Sequence, residues 1–228
     1  LDFETNARGT LLLLDWCRQA GVSRLLYASS MAVYGNPEKL PVTEETPPAP
    51  VSCYGVSKLA GEHYVRVFDR LGVRSTTFRL FNVYGPGQDM ENLKQGMASV
   101  YLAYVLKGEE VPVTGSLDRF RDFIFIDDVV SAWRAALDSK KSHGCAYNLG
   151  SGVKTTVREL LDLIIRECGH DPAGYPVRQV EDHAGDQFGM LSDCTRFQSE
   201  FGWRPNVSLS DGIRKMVAWC RNQEQLRT

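Results

Sequence analysis

The chain has 228 residues, 43% hydrophobic and 24% charged, with a formal net charge of -2. These are ordinary globular values, and the length suits one large domain or one and a half small ones. The charge balance gives no basis for nucleic-acid or membrane-surface binding, and no apolar run approaches the roughly 20 residues of a membrane span.

The cysteines at 17, 53, 145, 168, 194 and 220 form no C-x-x-C, and the histidines at 63, 143, 170 and 183 are isolated. This reads as packing thiols of a reducing, cytoplasmic setting and predicts no metal site. The chain opens "LDFETNARGT" without an initiator Met. That reads as entry inside or just before a helix, and hence as a truncated chain.

Residues 4–20 are predicted helical, ending at Gly21, a residue type suited to C′. "RLLYAS" (24–29) is a continuous apolar run between breakers, which predicts a buried parallel strand. A proline-rich loop (36–50) follows, then a helix over 53–71 stopped by Gly72, then a strand over 73–81. The order α-β-α-β predicts an α/β, doubly wound parallel sheet. Beyond a turn-rich stretch (82–92), the pattern predicts a helix in "QGMASVYLAYVLKG", a strand over 121–127, a helix over 127–139 and a short strand at "CAYNLG". Thr156 and Glu159 have the spacing of a capping box before another helix. Two more helices are predicted near 193–201 and 208–223, the second with cap spacing at Ser208 and Asp211.

The chemistry concentrates in "YGVSK". Tyr54 and Lys58 are four residues apart, so they share a helix face. A free tyrosine titrates near 10, too high for a base at neutral pH. A neighbouring cation favours the phenolate, and a phenol so lowered can take a proton from an alcohol and return it. Taken alone, the pair equally suits a surface stripe. Upstream, "YASSMAVYG" (27–35) ends the predicted strand in Ser29 and Ser30, where ligands bind in open α/β sheets.

With Ser30 in place, the chain resembles the extended short-chain dehydrogenase/reductases, the NAD-dependent nucleotide-sugar epimerases and dehydratases. "NARGT" (6–10), "ASSMAVYG" (28–35), "YGVSKLAGE" (54–62), "FRLFNVYGPGQ" (78–88), "RDFIFIDDVV" (121–130), "YNLGSG" (147–152) and "FGWRP" (201–205) match the family's runs in order. The resemblance implies a Ser30–Tyr54–Lys58 catalytic triad. Ser30 would polarise the substrate oxygen, Tyr54 would be the general acid/base, and Lys58 would lower its pKa and bond the nicotinamide ribose. Ser29 and Leu80 would join Tyr54 and Lys58 at NAD, with NADP still open. The nucleotide sugar would meet Asn82, Asn92, Lys94, Arg121, His183 and Asp186, with Arg121 on the diphosphate. The resemblance also implies a homodimer formed by residues ~4–20 and ~53–71.

By the same resemblance, residues 1–82 are what remains of a dinucleotide-binding Rossmann domain. Residues 83–228 are mainly the nucleotide-sugar region, with 121–150 partly returning to the sheet. The family's G-x-x-G-x-x-G loop, which cradles the pyrophosphate at a helix N-terminus, has no counterpart here, so the piece is expected to bind dinucleotide poorly and to be inactive by itself.

Where family dehydratases resemble D-E after the serine, this chain has Met31 and Ala32, which resembles the 4-epimerases. Two departures bear on the base. "HAGD" (183–186) places His183 where the family has arginine, and Thr114 replaces an aromatic under uracil. "KQGMASV" (94–100) resembles ADP-heptose 6-epimerases, with Lys94 as a second acid/base. A catalytically inactive nucleotide-sugar-binding relative is the third reading.

Overall fold

A computed structural model describes residues 1–93, 96–181 and 187–227, with side chains described through residue 223. A π-helical turn at Phe3–Arg8 continues into α1 (Gly9–Gln19), followed by β1 (Arg24–Ser30). After the proline-rich loop come α2 (Cys53–Arg70), β2 (Arg74–Leu80) and the short β3 (Asn82–Tyr84). Then follow α3 (Met97–Leu106), β4 (Val111–Thr114), β5 (Phe120–Phe125), α4 (Ile126–Leu137) and β6 (Cys145–Leu149). β7 (Lys154–Thr156), α5 (Val157–Glu167), β8 (Val177–Val180), α6 (Thr195–Phe201) and α7 (Leu209–Arg227) complete the described chain.

Three small sheets result. The one that matters most is all-parallel, in the order β1-β2-β6. Its register brings the three C-terminal ends level: Ser30 lies opposite Leu80, which lies opposite Leu149. β3 and β5 pair in parallel and β5 and β7 antiparallel, while β4 pairs with β8. Parallel strands need covered faces. α4 supplies one cover, with Val129, Ala132 and Ala136 buried in a cluster with Phe78, Tyr147 and Leu149. On α1 and α2, Leu14, Cys17, Val65 and Phe68 are buried with Tyr27 of β1.

The approach of α2 to β1 depends on two glycines. A Cβ on Gly61 would run into the Tyr27 hydroxyl, and one on Gly55 would lie 2.5 Å from the Ala32 carbonyl. Without them the helix would stand further from the strand end that carries Ser30.

Two buried aspartates tie the later half together. Asp122, fully buried, accepts from the backbone N–H groups of Ser151, Gly152 and Ser192 and from both serine hydroxyls. Asp128, in the first turn of α4, accepts from Asn206 N and Val207 N. Buried carboxylates need such donors.

The expected parallel sheet and helices over 4–20 and 53–71 are present within a few residues. The capping box is present too: Glu159 N donates to Thr156 Oγ1 (3.1 Å) and Thr156 N to Glu159 Oε2 (2.7 Å). The sequence reading had no strand at β3, β7 or β8. β3 and β7 span three residues each, too few to show a period of two. β8 has two exposed residues at its centre, so it lacks the apolar run that marks a buried strand.

Thr156→Ala removes the Oγ acceptor that opens α5. It should lower the unfolding free energy by about 1 kcal/mol, seen as a lower urea midpoint at unchanged slope.

Candidate active site

Ser30 ends β1, and its Oγ accepts from Ala32 N (3.2 Å), capping a 3-10 turn at Met31–Tyr34. α2 begins close by, capped by Ser52, whose Oγ accepts from Gly55 N (3.1 Å). That start places Tyr54 in the first turn, 36% exposed. Lys58 follows one turn on. Its ammonium donates to the Ala28 carbonyl (3.1 Å) and lies 5.7 Å from the centroids of both the Tyr54 and Tyr27 rings. The Ser30 hydroxyl lies near enough to the Tyr54 phenol to act on its titration. Strand end and helix start thus bring Ser30, Tyr54 and Lys58 together.

The electrostatics differ from the sequence expectation. Burial raises the Tyr54 phenol above its ordinary value, the nearby Ser30 hydroxyl pulls it back, and the charge of Asp2 raises it further. Lys58 is lowered by burial, with Asp2 opposing that. The expected lowering of Tyr54 by Lys58 is not realised in this geometry, because the ammonium is engaged at the Ala28 carbonyl and lies over the phenol ring. Tyr54 is therefore a neutral phenol at pH 7.

The other expected site residues separate into groups. Leu80, opposite Ser30, lies beside Leu26, Ala28, Val83 and Trp133 on an apolar shelf along the sheet. Ser29, expected at the cofactor, is only 3% exposed, and its hydroxyl donates to Glu62 Oε1 (2.5 Å). Its side chain serves the joint between β1 and α2, because successive side chains on a strand point to opposite faces. Asn82 begins β3, and its Oδ1 is buried without a hydrogen-bond partner. Such an acceptor is costly to leave alone and marks a place for a ligand donor.

Asn92 lies exposed in the loop before α3. Arg121 is 6% exposed and donates to the carbonyls of Phe120 (2.8 Å), Gln187 (2.8 Å) and Phe188 (3.3 Å). Those bonds hold the main chain of residues 187–188. Lys94, His183 and Asp186 lie outside the described residues.

Three residues were not singled out from sequence. Asp2 acts on both Tyr54 and Lys58 by charge. Asn6 Nδ2 donates to Ser57 Oγ (3.1 Å), which donates to the Tyr54 carbonyl (2.8 Å). Glu62 is the third. Asn6 and Glu62 both fall within quoted motifs, "NARGT" and "YGVSKLAGE", but only the folded contacts show what they touch.

Residues 1–150 match the NAD dependent epimerase/dehydratase family. The chain belongs to that family. It is 34% identical over 226 residues to a putative UDP-glucose 4-epimerase of Methanocaldococcus jannaschii, covering 98% of this chain and 72% of that protein. It is 32% identical over 220 residues to the dTDP-glucose 4,6-dehydratase of Streptomyces niveus, covering 96% and 63%. Among solved structures, Thermus thermophilus UDP-glucose 4-epimerase in complex with NAD superposes with a TM-score of 0.88 at 35% identity, over 97% of this chain and 71% of that one.

The residues present fit one end of a nicotinamide dinucleotide. Lys58 carries three N–H donors, and the part-buried Tyr54 phenol lies beside it. Together they would offer donors to ribose hydroxyls, with the shelf at Leu80 alongside. The sequence offers no glycine-rich loop for the pyrophosphate.

Tyr54→Phe should remove one tyrosine titration centred above the ordinary 10, read by ultraviolet difference absorbance. Since folding raises this pKa, the folded state holds the proton where the unfolded chain has released it. Its contribution to stability is complete below pH 10 and is lost as pH rises through the folded value.

Proposed function

We propose that this chain carries the acid–base half of an NAD-dependent 4-epimerase acting on a nucleotide-activated sugar of the UDP-glucose/galactose type. The observation carrying the proposal is Ser30 acting on the Tyr54 phenol across the strand end and helix start, with Lys58 one turn away and no acid or base at Met31 or Ala32. The dehydratases of the resemblance carry D-E after the serine. A thioether and a methyl group exchange no protons there.

Ser30 holds the substrate oxygen and polarises it. Tyr54 takes the proton of the sugar hydroxyl as its carbon gives up hydride, and returns it once the keto sugar has turned over. Bound NAD would supply the acceptor for that hydride. Because burial keeps Tyr54 neutral in the free chain, its phenolate needs a cation. The flexible Lys58 stem can carry the ammonium from Ala28 O towards the phenol oxygen. Asn82, with its unpartnered Oδ1, would receive a substrate donor. Arg121 supports the substrate loop through the main chain of 187–188.

Residues 1–82 would form the cofactor side and residues 83–228 mainly the sugar-nucleotide side. Within 121–150, β6 rejoins the first sheet. The six cysteines are free thiols, which suits a cytoplasmic setting. A two-fold dimer through α1 and α2 is supported by their outward apolar residues, with Leu12 52%, Trp16 60% and Val67 54% exposed. Trp16→Glu should convert that dimer to monomer in sedimentation.

In a protein that also carries a dinucleotide-binding glycine-rich loop, Tyr54→Phe should reduce turnover of UDP-glucose to UDP-galactose by roughly 10²- to 10⁴-fold, followed by NMR of the sugar anomeric proton in the presence of NAD. Unchanged turnover would overturn the mechanism. Lys94→Ala should leave turnover at C4 intact, whereas loss of an ADP-heptose epimerisation in that variant would favour chemistry at C6.

A further inference from the structure

Behind the proposed acid–base centre lies a buried polar network that the mechanism above does not use. Glu62, one turn beyond Lys58 on α2, forms a two-pronged ion pair with Arg79 of β2. Arg79 Nε reaches Glu62 Oε1 at 3.0 Å and Nη2 reaches Oε2 at 2.8 Å, with side chains only 6% and 9% exposed. Glu62 Oε1 also accepts from Ser29 Oγ at 2.5 Å. Ser29 and Arg79 are register partners across β1 and β2, one residue before the Ser30–Leu80 pair.

The network continues past Ser30 on its other side. Arg79 Nη1 donates to the Tyr34 hydroxyl (3.0 Å), which donates to Asn148 Oδ1 (2.6 Å). Tyr34 closes the 3-10 turn that Ser30 opens. Asn148 lies opposite Arg79 on β6. So the residue before Ser30, the end of the turn after it, and the helix bearing Tyr54 all meet one guanidinium–carboxylate pair.

We infer that Glu62 and Arg79 are positioning residues, whose pairing fixes the depth of α2 against the end of β1 and thereby the place of Tyr54 relative to Ser30. Apolar packing sets such a distance loosely, because it has no direction. Charge-assisted bonds of a planar fork fix both distance and orientation. The inference rests on the acid–base reading of Tyr54, but its first readout does not need turnover.

The experiment uses the full chain labelled with 13Cζ-tyrosine. The Tyr54 signal is assigned through Tyr54→Phe, and the Tyr175 signal serves as the reference. Ser29→Ala removes only the link to β1, and Glu62→Gln removes the charge while keeping the shape. In both, the Tyr54 signal should move at fixed pH while that of Tyr175 stays. In a protein that also carries a dinucleotide-binding glycine-rich loop, kcat with UDP-glucose and NAD should fall roughly 10- to 100-fold at unchanged KM, as expected of a displaced reacting group. Arg79→Lys should not rescue, because an ammonium lacks the fork. Glu110→Gln, which breaks the exposed Arg178 pair, should change nothing.

An unmoved Tyr54 signal in Ser29→Ala and Glu62→Gln, or wild-type kcat in Arg79→Lys, overturns the inference. If Glu62→Gln does not fold, Ser29→Ala decides. If the wild-type protein carrying that loop turns over no nucleotide sugar, the functional reading fails separately and the Tyr54 signal alone decides the positioning role.

Discussion

The placement of α2 against the end of β1 is the constraint on which the site depends. Gly55 and Gly61 permit the approach by leaving out a Cβ where Ala32 and Tyr27 stand. Lys58 bonds the Ala28 carbonyl from the helix side, and Asn6 joins the π-helical turn before α1 to the first turns of α2 through Ser57. Steric permission alone would leave the helix free to slide. Polar contacts with defined lengths remove that freedom. Ser30 and Tyr54 come together because a strand end and a helix start are held at one level.

Charge burial is the other side of this arrangement. Burial works against the charge of Arg79, but Glu62 and Tyr34 outweigh it and hold the guanidinium firmly protonated. No such partner reaches the Tyr54 phenol, so there burial prevails and the neutral form is kept. Tyr27 and Tyr34 are likewise pushed up to about 12 by burial. The same low-dielectric joint thus makes one ion pair permanent and leaves a nearby tyrosine uncharged at rest.

Much of this was legible in the sequence where a local rule applied. The apolar run at 24–29, the Thr156–Glu159 cap and the i, i+4 spacing of Tyr54 and Lys58 are short-range signals. The strand, the cap and the shared helix face all appear in the fold, although the expected buried strand is part-buried along most of its length, with only Tyr27 and Ser29 buried. The network around Arg79 was not legible, because its members lie 17 to 45 residues from Arg79 or further. The motif containing Arg79 pointed to the nicotinamide pocket, not to a helix–strand brace. The partner of the Ser29 hydroxyl was hidden for a related reason. Two adjacent serines look alike in sequence, but the alternation of a strand sends one to Glu62 and leaves the next at the phenol. The direction of the Tyr54 shift also escaped, since spacing shows that a cation is near but not which oxygen it serves.

The short turn after Ser30 has a wider consequence. Its main chain is fixed by the Ser30 hydroxyl at Ala32 N, and Val33 and Tyr34 are buried at 0% and 1% exposure. Met31 and Ala32 therefore occupy a prefabricated socket whose backbone does not depend on what they are. A lineage could exchange these two side chains and acquire a different reaction while Ser30, Tyr54 and Lys58 stay where they are. That separates the evolvable part of the site from its invariant frame, and lets one scaffold serve proton return in one descendant and elimination in another.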